Sequence, residues 1–403
     1  MQPYKTYLNN LGIINALGSG KQAVVKYFLS DDPNTMSKFD DLLKGGSTWV
    51  GAVKEKLVSL PEVLKKYQCR NNQLIATAYQ EIAEDVEALK ARYGKDRIGV
   101  ILGTSTSGIA AGEDALKYHQ EQGYFPEEFE YSQQEIGNGS EFLAEYAGVS
   151  GAHYTVSTAC SSSGKAFAAA YRLIQADMCD AVIVGGSDSL CKMTLNGFDC
   201  LDLVSQDICN PFSQNRKGLN IGEGAALFIL SKQPSRIALS GIGESSDGHH
   251  ISTPDPEAKG AENAIKQALD MAGHQVSGVG YINLHGTATG KNDEMESLVT
   301  HRVFGNQTPC SSTKSLLGHT LGAAAAHELG LCWLLLSEAY NPKHKLPAQI
   351  WDGVYDETLK PINITKPNSQ FRHPVMMSNS FAFGGSNVSL VIEKNIDLKG
   401  DQL

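Results

Sequence analysis

Val156-Ser157-Thr158-Ala159-Cys160-Ser161-Ser162-Ser163-Gly164 is a strand-like entry that breaks abruptly into a run of small residues. From Ser163 to Met178, Phe167, Ala170, Tyr171 and Ile174 recur at helical spacing, which predicts an amphipathic helix beginning just after Cys160. A thiol at such a corner lies at the positive end of a helix dipole, where free backbone N–H groups favour thiolate and lower its pKa. Ala159, Ser161, Ser162 and Gly164 are small enough to leave an incoming substrate and its tail unblocked. A free cysteine is more often a small buried hydrophobe than a reagent. This turn, together with the histidines below, marks Cys160 as a nucleophile.

Outward from that corner, short β-branched runs alternate with longer helical stretches, the signature of an α/β fold with a buried sheet. Strands are predicted at Ile98–Leu102, Ala181–Val184, Ala226–Leu230, Val279–Leu284 and Val388–Ile392. A helix is predicted over Ala323 to Ala339, and another over Asp255 to Ala272, opened by Pro256 and closed by Gly273. Asp31 to Tyr93 reads as mostly helical or irregular, an insertion or cap. No Pro-rich or Ser-rich linker divides the chain. A Gly/Ser-rich strand end feeding a small-residue helix occurs at Ala159–Ala170 and again at Gly318–Ala326, which suggests two duplicated halves.

Composition narrows the function classes. The net charge of −10, with basic residues scattered, argues against nucleic acid, whose phosphates call for clustered Lys and Arg. Met1 to Leu17 lacks the apolar core of a secretion signal, and no window reaches the apolar length of a spanning helix, Leu329 to Leu336 being too short. The cysteines at 69, 160, 179, 191, 200, 209, 310 and 332 form no CxxC pair, which removes the commonest zinc and dithiol signals. A soluble cytoplasmic protein without a metal is expected.

Three further motifs accompany the cysteine. Asn283-Leu-His-Gly-Thr-Ala-Thr-Gly290 delivers His285 from a strand end into a loop of small residues, with the Thr287 and Thr289 hydroxyls beside it. Ser311-Ser-Thr-Lys-Ser-Leu-Leu-Gly-His-Thr-Leu-Gly322 places Lys314 and His319 in a glycine-bounded loop, ahead of a helix carrying Glu328. A Lys, a His and a Glu so arranged fix the imidazole and bias its protonation. Ser378-Asn-Ser-Phe-Ala-Phe-Gly-Gly-Ser-Asn387 is a strand, a turn and a second strand whose glycines let backbone N–H groups face a ligand, as an oxyanion site requires, with Phe383 as a movable wall.

In this order and over these intervals, the four motifs resemble the elongating β-ketoacyl-[acyl carrier protein] synthases, type I/II, of the thiolase-like superfamily, from about Asp96 to Lys394. The resemblance implies an α/β thiolase-like five-layered αβαβα sandwich of two related halves, here 1–233 with its helical cap around 31–93, and 234–403. It implies that Cys160 is acylated, that His285 and His319 are the two catalytic histidines, and that Lys314 and Glu328 support them. Thr287 and Thr289 then contact the phosphopantetheine arm. Phe383 is the gate, its N–H completing an oxyanion hole with that of Cys160. Asn210-Pro-Phe-Ser, Arg216, Gly218 and Gly222-Glu-Gly224 resemble the family's central loop, which is structural.

The activity so implied is decarboxylative condensation of an acyl-Cys160 with malonyl-[acyl carrier protein], in fatty acid or polyketide biosynthesis. No cofactor is implied, because substrates arrive on the carrier's phosphopantetheine arm. The implied partners are the carrier protein and a second subunit, in a homodimer or in a heterodimer with a chain-length partner lacking the cysteine.

The chain departs from the family where Tyr4-Lys-Thr-Tyr-Leu-Asn-Asn-Leu-Gly12 blurs the first strand, where Ser213 replaces an Asp, and where Ala382 replaces a Gly and is expected to stiffen the gate. These departures resemble a specialised enzyme, such as the ketosynthases of bacterial aryl polyene clusters. Two other readings stand beside this one. A degradative thiolase would need a second cysteine near the C-terminus, and none follows Cys332; a non-catalytic chain-length subunit would lack the nucleophile.

Overall fold

The apolar runs become strands of one twelve-stranded sheet in a computed structural model that describes residues 4–30 and 34–395. Ile98–Leu102 is the strand Ile98–Gly103, Ala181–Val184 extends to Ala181–Asp188, Ala226–Leu230 to Gly224–Ser231, and Val388–Ile392 to Ser386–Lys394. Val279–Leu284 shortens to Tyr281–Asn283, because the chain leaves the sheet early to form the His285 loop. Ile98–Gly103 and Ala181–Asp188 are buried at every position, as strands covered on both faces must be.

The two halves repeat one pairing pattern. In the first, His153–Val156, Ile98–Gly103 and Ala181–Asp188 are parallel, and Gly224–Ser231 then Thr6–Asn15 follow antiparallel. In the second, Asn363–Ile364, Pro309–Ser311, Tyr281–Asn283 and Val375–Phe381 are parallel, and Ser386–Lys394 then Ile237–Ser246 follow antiparallel. The halves join where Thr6 and Tyr7 pair with Leu239 and Ala238.

Between the half-sheets lie the helices Ser162–Gln175 and Ala324–Leu336, packed on each other. The second is buried along its whole length, which its nearly all-apolar sequence demands. Gly164 sets the spacing of this layer, since a Cβ there would come within 2.5 Å of Val388 Cγ1. Outside the first half-sheet sit Arg70–Tyr79 and Asn138–Ala147; outside the second sit Lys259–Ala272 and Gly290–Phe304. The layers run α, β, α, β, α, the thiolase-like arrangement.

Three expectations change. The first strand is not blurred: Thr6–Asn15 is a central strand, and a register shift between Leu8 and Asn10 absorbs the two asparagines. Asn9 Nδ2 donates to Gln233 O at 2.9 Å, so the polar residues are satisfied at the bulge. The segment 31–93, of which 31–33 lie outside the described residues, holds an antiparallel hairpin, Ser37–Leu43 with Gly46–Val50. Its helices Arg70–Tyr79 and Ala83–Tyr93 supply Leu74, Ile75, Val86 and Leu89 to the core of the outer layer. They belong to the layered body because their apolar face has the sheet to bury against. Finally, the predicted helices over 163–178, 323–339 and 255–272 are Ser162–Gln175, Ala324–Leu336 and Lys259–Ala272.

Candidate active site

Cys160 sits between Ala159, held at φ +52°, and Ser161, the N-cap of the Ser162–Gln175 helix. The tight turn throws the sulfur toward the second half of the chain, where His319 Nε2 meets Cys160 Sγ at 2.9 Å. The imidazole is fixed from behind. Leu321 N–H donates to His319 Nδ1 at 3.2 Å, which assigns the remaining ring proton to Nε2, facing the sulfur. The His319 backbone is tied to the central loop, its N–H donating to Asn220 O at 2.7 Å and its carbonyl accepting from Gly222 N–H at 2.9 Å. His285 completes the group, its ring edge-on to His319 with centroids 5.3 Å apart. Residues more than a hundred positions apart converge because each lies at a strand or turn end bordering the same central helix layer.

Burial decides the electrostatics. Removal from water pushes both histidines well below the usual imidazole range, and the Lys314 charge lowers them further, so both are neutral. The expected lowering of the thiol is not what the resting site shows. Full burial pushes Cys160 up to about 11, outweighing the pull of Lys314 and of the Phe383 and Cys160 backbone N–H groups. Those same two N–H groups are the pair anticipated for an oxyanion. They sit at the sulfur.

Lys314 is wholly buried and ion-paired with Glu328, so it is no solvated loop charge. Burial raises Glu328 to about 7 while the lysine opposes the rise. Lys314→Met strands that carboxyl without its partner and is expected to cost about 3–5 kcal/mol of stability. The carboxyl must then be protonated in the folded state, so the loss grows as pH rises from about 6 to 8. Urea midpoints across that range check it, and a pH-independent loss would contradict it.

Sequence reasoning missed the acids that hold the His285 loop. Glu296 accepts from the His285 N–H at 2.7 Å and the Gly286 N–H at 2.6 Å. Asp293 accepts from Phe212 N–H at 2.7 Å and Ala288 N–H at 3.2 Å. Burial raises Glu296 to about 8 and Asp293 to about 6. Their signal was present: they stand about one turn apart on the Gly290–Phe304 helix, but Asp293, in its first turn, also reads as an exposed complement to the dipole.

A cavity of about 500 Å³ leads to these groups, with Cys160, His285 and His319 in its wall. Thr287 and Thr289 line it and share a hydroxyl–hydroxyl contact of 2.9 Å, a polar rail beside the path. Phe383 is half-buried in the same wall, its ring 5.6 Å from that of Phe198. Ala382 does not strain the gate, because its φ of −96° and ψ of 156° are extended backbone; Gly384 and Gly385 take the left-handed positions, at φ +81° and +74°. Arg216, assigned to a structural loop, also borders the cavity and pairs with Asp356 Oδ2 at 2.5 Å. Where Ser213 replaces the expected Asp, the Asp352 carboxylate faces its hydroxyl at 2.9 and 3.0 Å, bringing a carboxylate from a different loop.

The Cys160, His285 and His319 donor atoms lie within 4.8 Å of one another, a set whose types suit zinc. The adjacent Lys314 charge opposes a cation there.

A polarised cysteine, two neutral histidines and a buried lysine at the end of a cavity are equipped for acyl transfer and carbanion stabilisation. Residues 68–235 match the N-terminal domain of β-ketoacyl synthases, and residues 237–345 match their C-terminal domain. The chain belongs to the β-ketoacyl synthase family. Over 97% of its length it is 43% identical, with a TM-score of 0.92, to 98% of a chain in the solved complex of a ketosynthase (ApeO) with its chain length factor (ApeC) from Xenorhabdus doucetiae. It is 27% identical to the 3-oxoacyl-[acyl-carrier-protein] synthase 1 of Haemophilus influenzae, over 97% of this chain and 99% of that one. Nodulation protein E of Rhizobium meliloti is 34% identical over 61% of this chain, which spans 63% of that protein's length. Among the described residues no helix is long and apolar enough to cross a membrane.

Proposed function

We propose that this chain is a β-ketoacyl-[acyl carrier protein] synthase that lengthens an acyl group by two carbons through decarboxylative condensation. The observation that carries the reading is the 2.9 Å contact of His319 Nε2 with Cys160 Sγ, with His285 edge-on at the same point of the cavity. The Cys160 thiol attacks the acyl thioester; the bond between the acyl carbonyl and the carrier sulfur breaks, and the proton given up by Cys160 passes to that sulfur, so the arm leaves as a thiol. The Phe383 and Cys160 N–H groups stabilise the oxyanion formed on the way. Malonyl carrier then loses carbon dioxide, and His285 and His319, as neutral donors, stabilise the enolate left behind. The enolate carbon attacks the acyl carbonyl, the carbon–carbon bond forms, the carbon–sulfur bond breaks, and Cys160 is free again. Burial and the Lys314 charge keep the histidines neutral, Glu328 holds that lysine in place, and Thr287 and Thr289 hold the arm. No metal or organic cofactor enters these steps.

The partners in this reading are an acyl carrier protein and a second chain of the same fold. Support comes from the sheet edge at His153–Val156, which among the described residues pairs on one side only, and from exposed Tyr118, Tyr124, Phe125 and Tyr131. The similar ketosynthase was solved with its chain length factor, which favours a heterodimer over a homodimer. Light scattering is expected to give the mass of two subunits, with or without a co-expressed chain length factor; a monomer in both cases contradicts this. The cellular setting in this reading is the cytoplasm and a specialised polyketide pathway of the aryl polyene kind.

Carbon dioxide release from malonyl carrier, together with a β-keto product two carbons longer, tests the function. A chain that binds both carriers and releases no carbon dioxide is instead a non-catalytic partner subunit.

A further inference from the structure

Asp188 ends the strand Ala181–Asp188 and is wholly buried, yet no cation pairs with it among the described residues. Five donors do. Its Oδ1 accepts from Thr104 Oγ1 at 2.7 Å, Ser105 N at 2.8 Å, Thr106 N at 2.7 Å and Thr106 Oγ1 at 2.8 Å. Its Oδ2 accepts from Ala323 N at 2.9 Å. The first four belong to the loop after strand Ile98–Gly103, in the first half of the molecule; the fifth belongs to the turn that follows His319, in the second.

That turn is the one whose Leu321 N–H fixes the His319 tautomer. Leu321 is held at φ +51°, and Gly322 packs so closely that a Cβ would come within 2.7 Å of Ser105 N. The Ala323 N–H, which also donates to Thr320 O at 3.0 Å within the turn, is reached across from the first half by a carboxylate oxygen, which ties this strained turn to the loop. Taking the proposed condensation as its basis, we propose that Asp188 is a positioning residue that sets the ring orientation and tautomer of His319 toward Cys160.

Asp188→Asn separates this role from packing, because the amide is isosteric and polarises the two oxygen sites differently. With four donors around Oδ1, the amide oxygen settles there, and the NH2 group turns toward the Ala323 N–H, donor against donor. The expected result is a fall in condensation kcat of about tenfold or more, with KM for malonyl carrier within about twofold. Iodoacetamide alkylation of Cys160 at pH 8 should slow by about tenfold as the Nε2–H donor is lost from the sulfur. Nitrogen NMR should show the His319 ring proton no longer confined to Nε2. Asp188→Glu keeps the charge and both acceptor oxygens and should recover turnover and alkylation toward wild type.

Wild-type kcat and alkylation in folded Asp188→Asn, equal losses in the Asn and Glu variants, or failure of both to fold would each overturn the assignment. The alkylation and ring-proton readouts use no carrier protein. They therefore judge Asp188 even where the wild-type chain releases no carbon dioxide, an outcome that would remove the proposed function instead.

Discussion

Cys160→Ala is expected to abolish condensation, by about 10⁴-fold or more, while carbon dioxide release from malonyl carrier persists. In the proposed reaction the acyl group is carried on this sulfur, at which the Phe383 and Cys160 N–H groups lie. The persistence of decarboxylation follows from the separation of roles. His285 and His319 are positioned by Glu296, Asn220 and Leu321, none of which depends on the thiol. Removing one buried sulfur is expected to cost about 1 kcal/mol of stability, so unfolding cannot mimic the result. A variant that condensed at the wild-type rate would sink the assignment of Cys160.

His319→Ala is expected to reverse that pattern: decarboxylation falls by about 10²–10³-fold, while Cys160 is still alkylated to completion, though more slowly. Deletion removes the Nε2–H donor at 2.9 Å and leaves Lys314 and the two backbone N–H groups acting on the sulfur. Complete loss of alkylation would mean that the histidine serves chiefly to activate the thiol. The wild-type pH profile gives a second reading of the same residue. Burial and Lys314 hold both histidines well below their ordinary value, so each keeps its neutral donor form as pH falls from about 8 to 6. Decarboxylation should be flat over that interval; an acid limb centred near an ordinary imidazole value would show a charged histidine that the buried site disfavours.

The corner at Cys160 was legible in the sequence because a strand, a small-residue turn and an amphipathic helix are local patterns, and three similar corners gave His285, His319 and Phe383. What was not legible depends on burial and on partners from distant segments. The dipole argument for Cys160 had the right sign locally, but full desolvation overrides it and raises the thiol. Asp188, Asp293 and Glu296 look like ordinary acids until the fold brings backbone N–H groups to them. Ser213 looked like a lost carboxylate, and the carboxylate was at Asp352, far along the chain. The hairpin Ser37–Leu43 with Gly46–Val50 escaped because the first strand is charged and partly exposed and the second is only five residues long, so neither shows the apolar alternation that marks a half-buried sheet.

Intact-protein mass spectrometry of the chain after incubation with a panel of acyl carrier substrates tests the central claim most directly. One acyl mass should be added, map to Cys160, depend in size on the acyl group accepted, and disappear when malonyl carrier is supplied. No adduct with any acyl carrier, or an adduct on another residue that malonyl carrier leaves in place, would contradict a condensing role for Cys160.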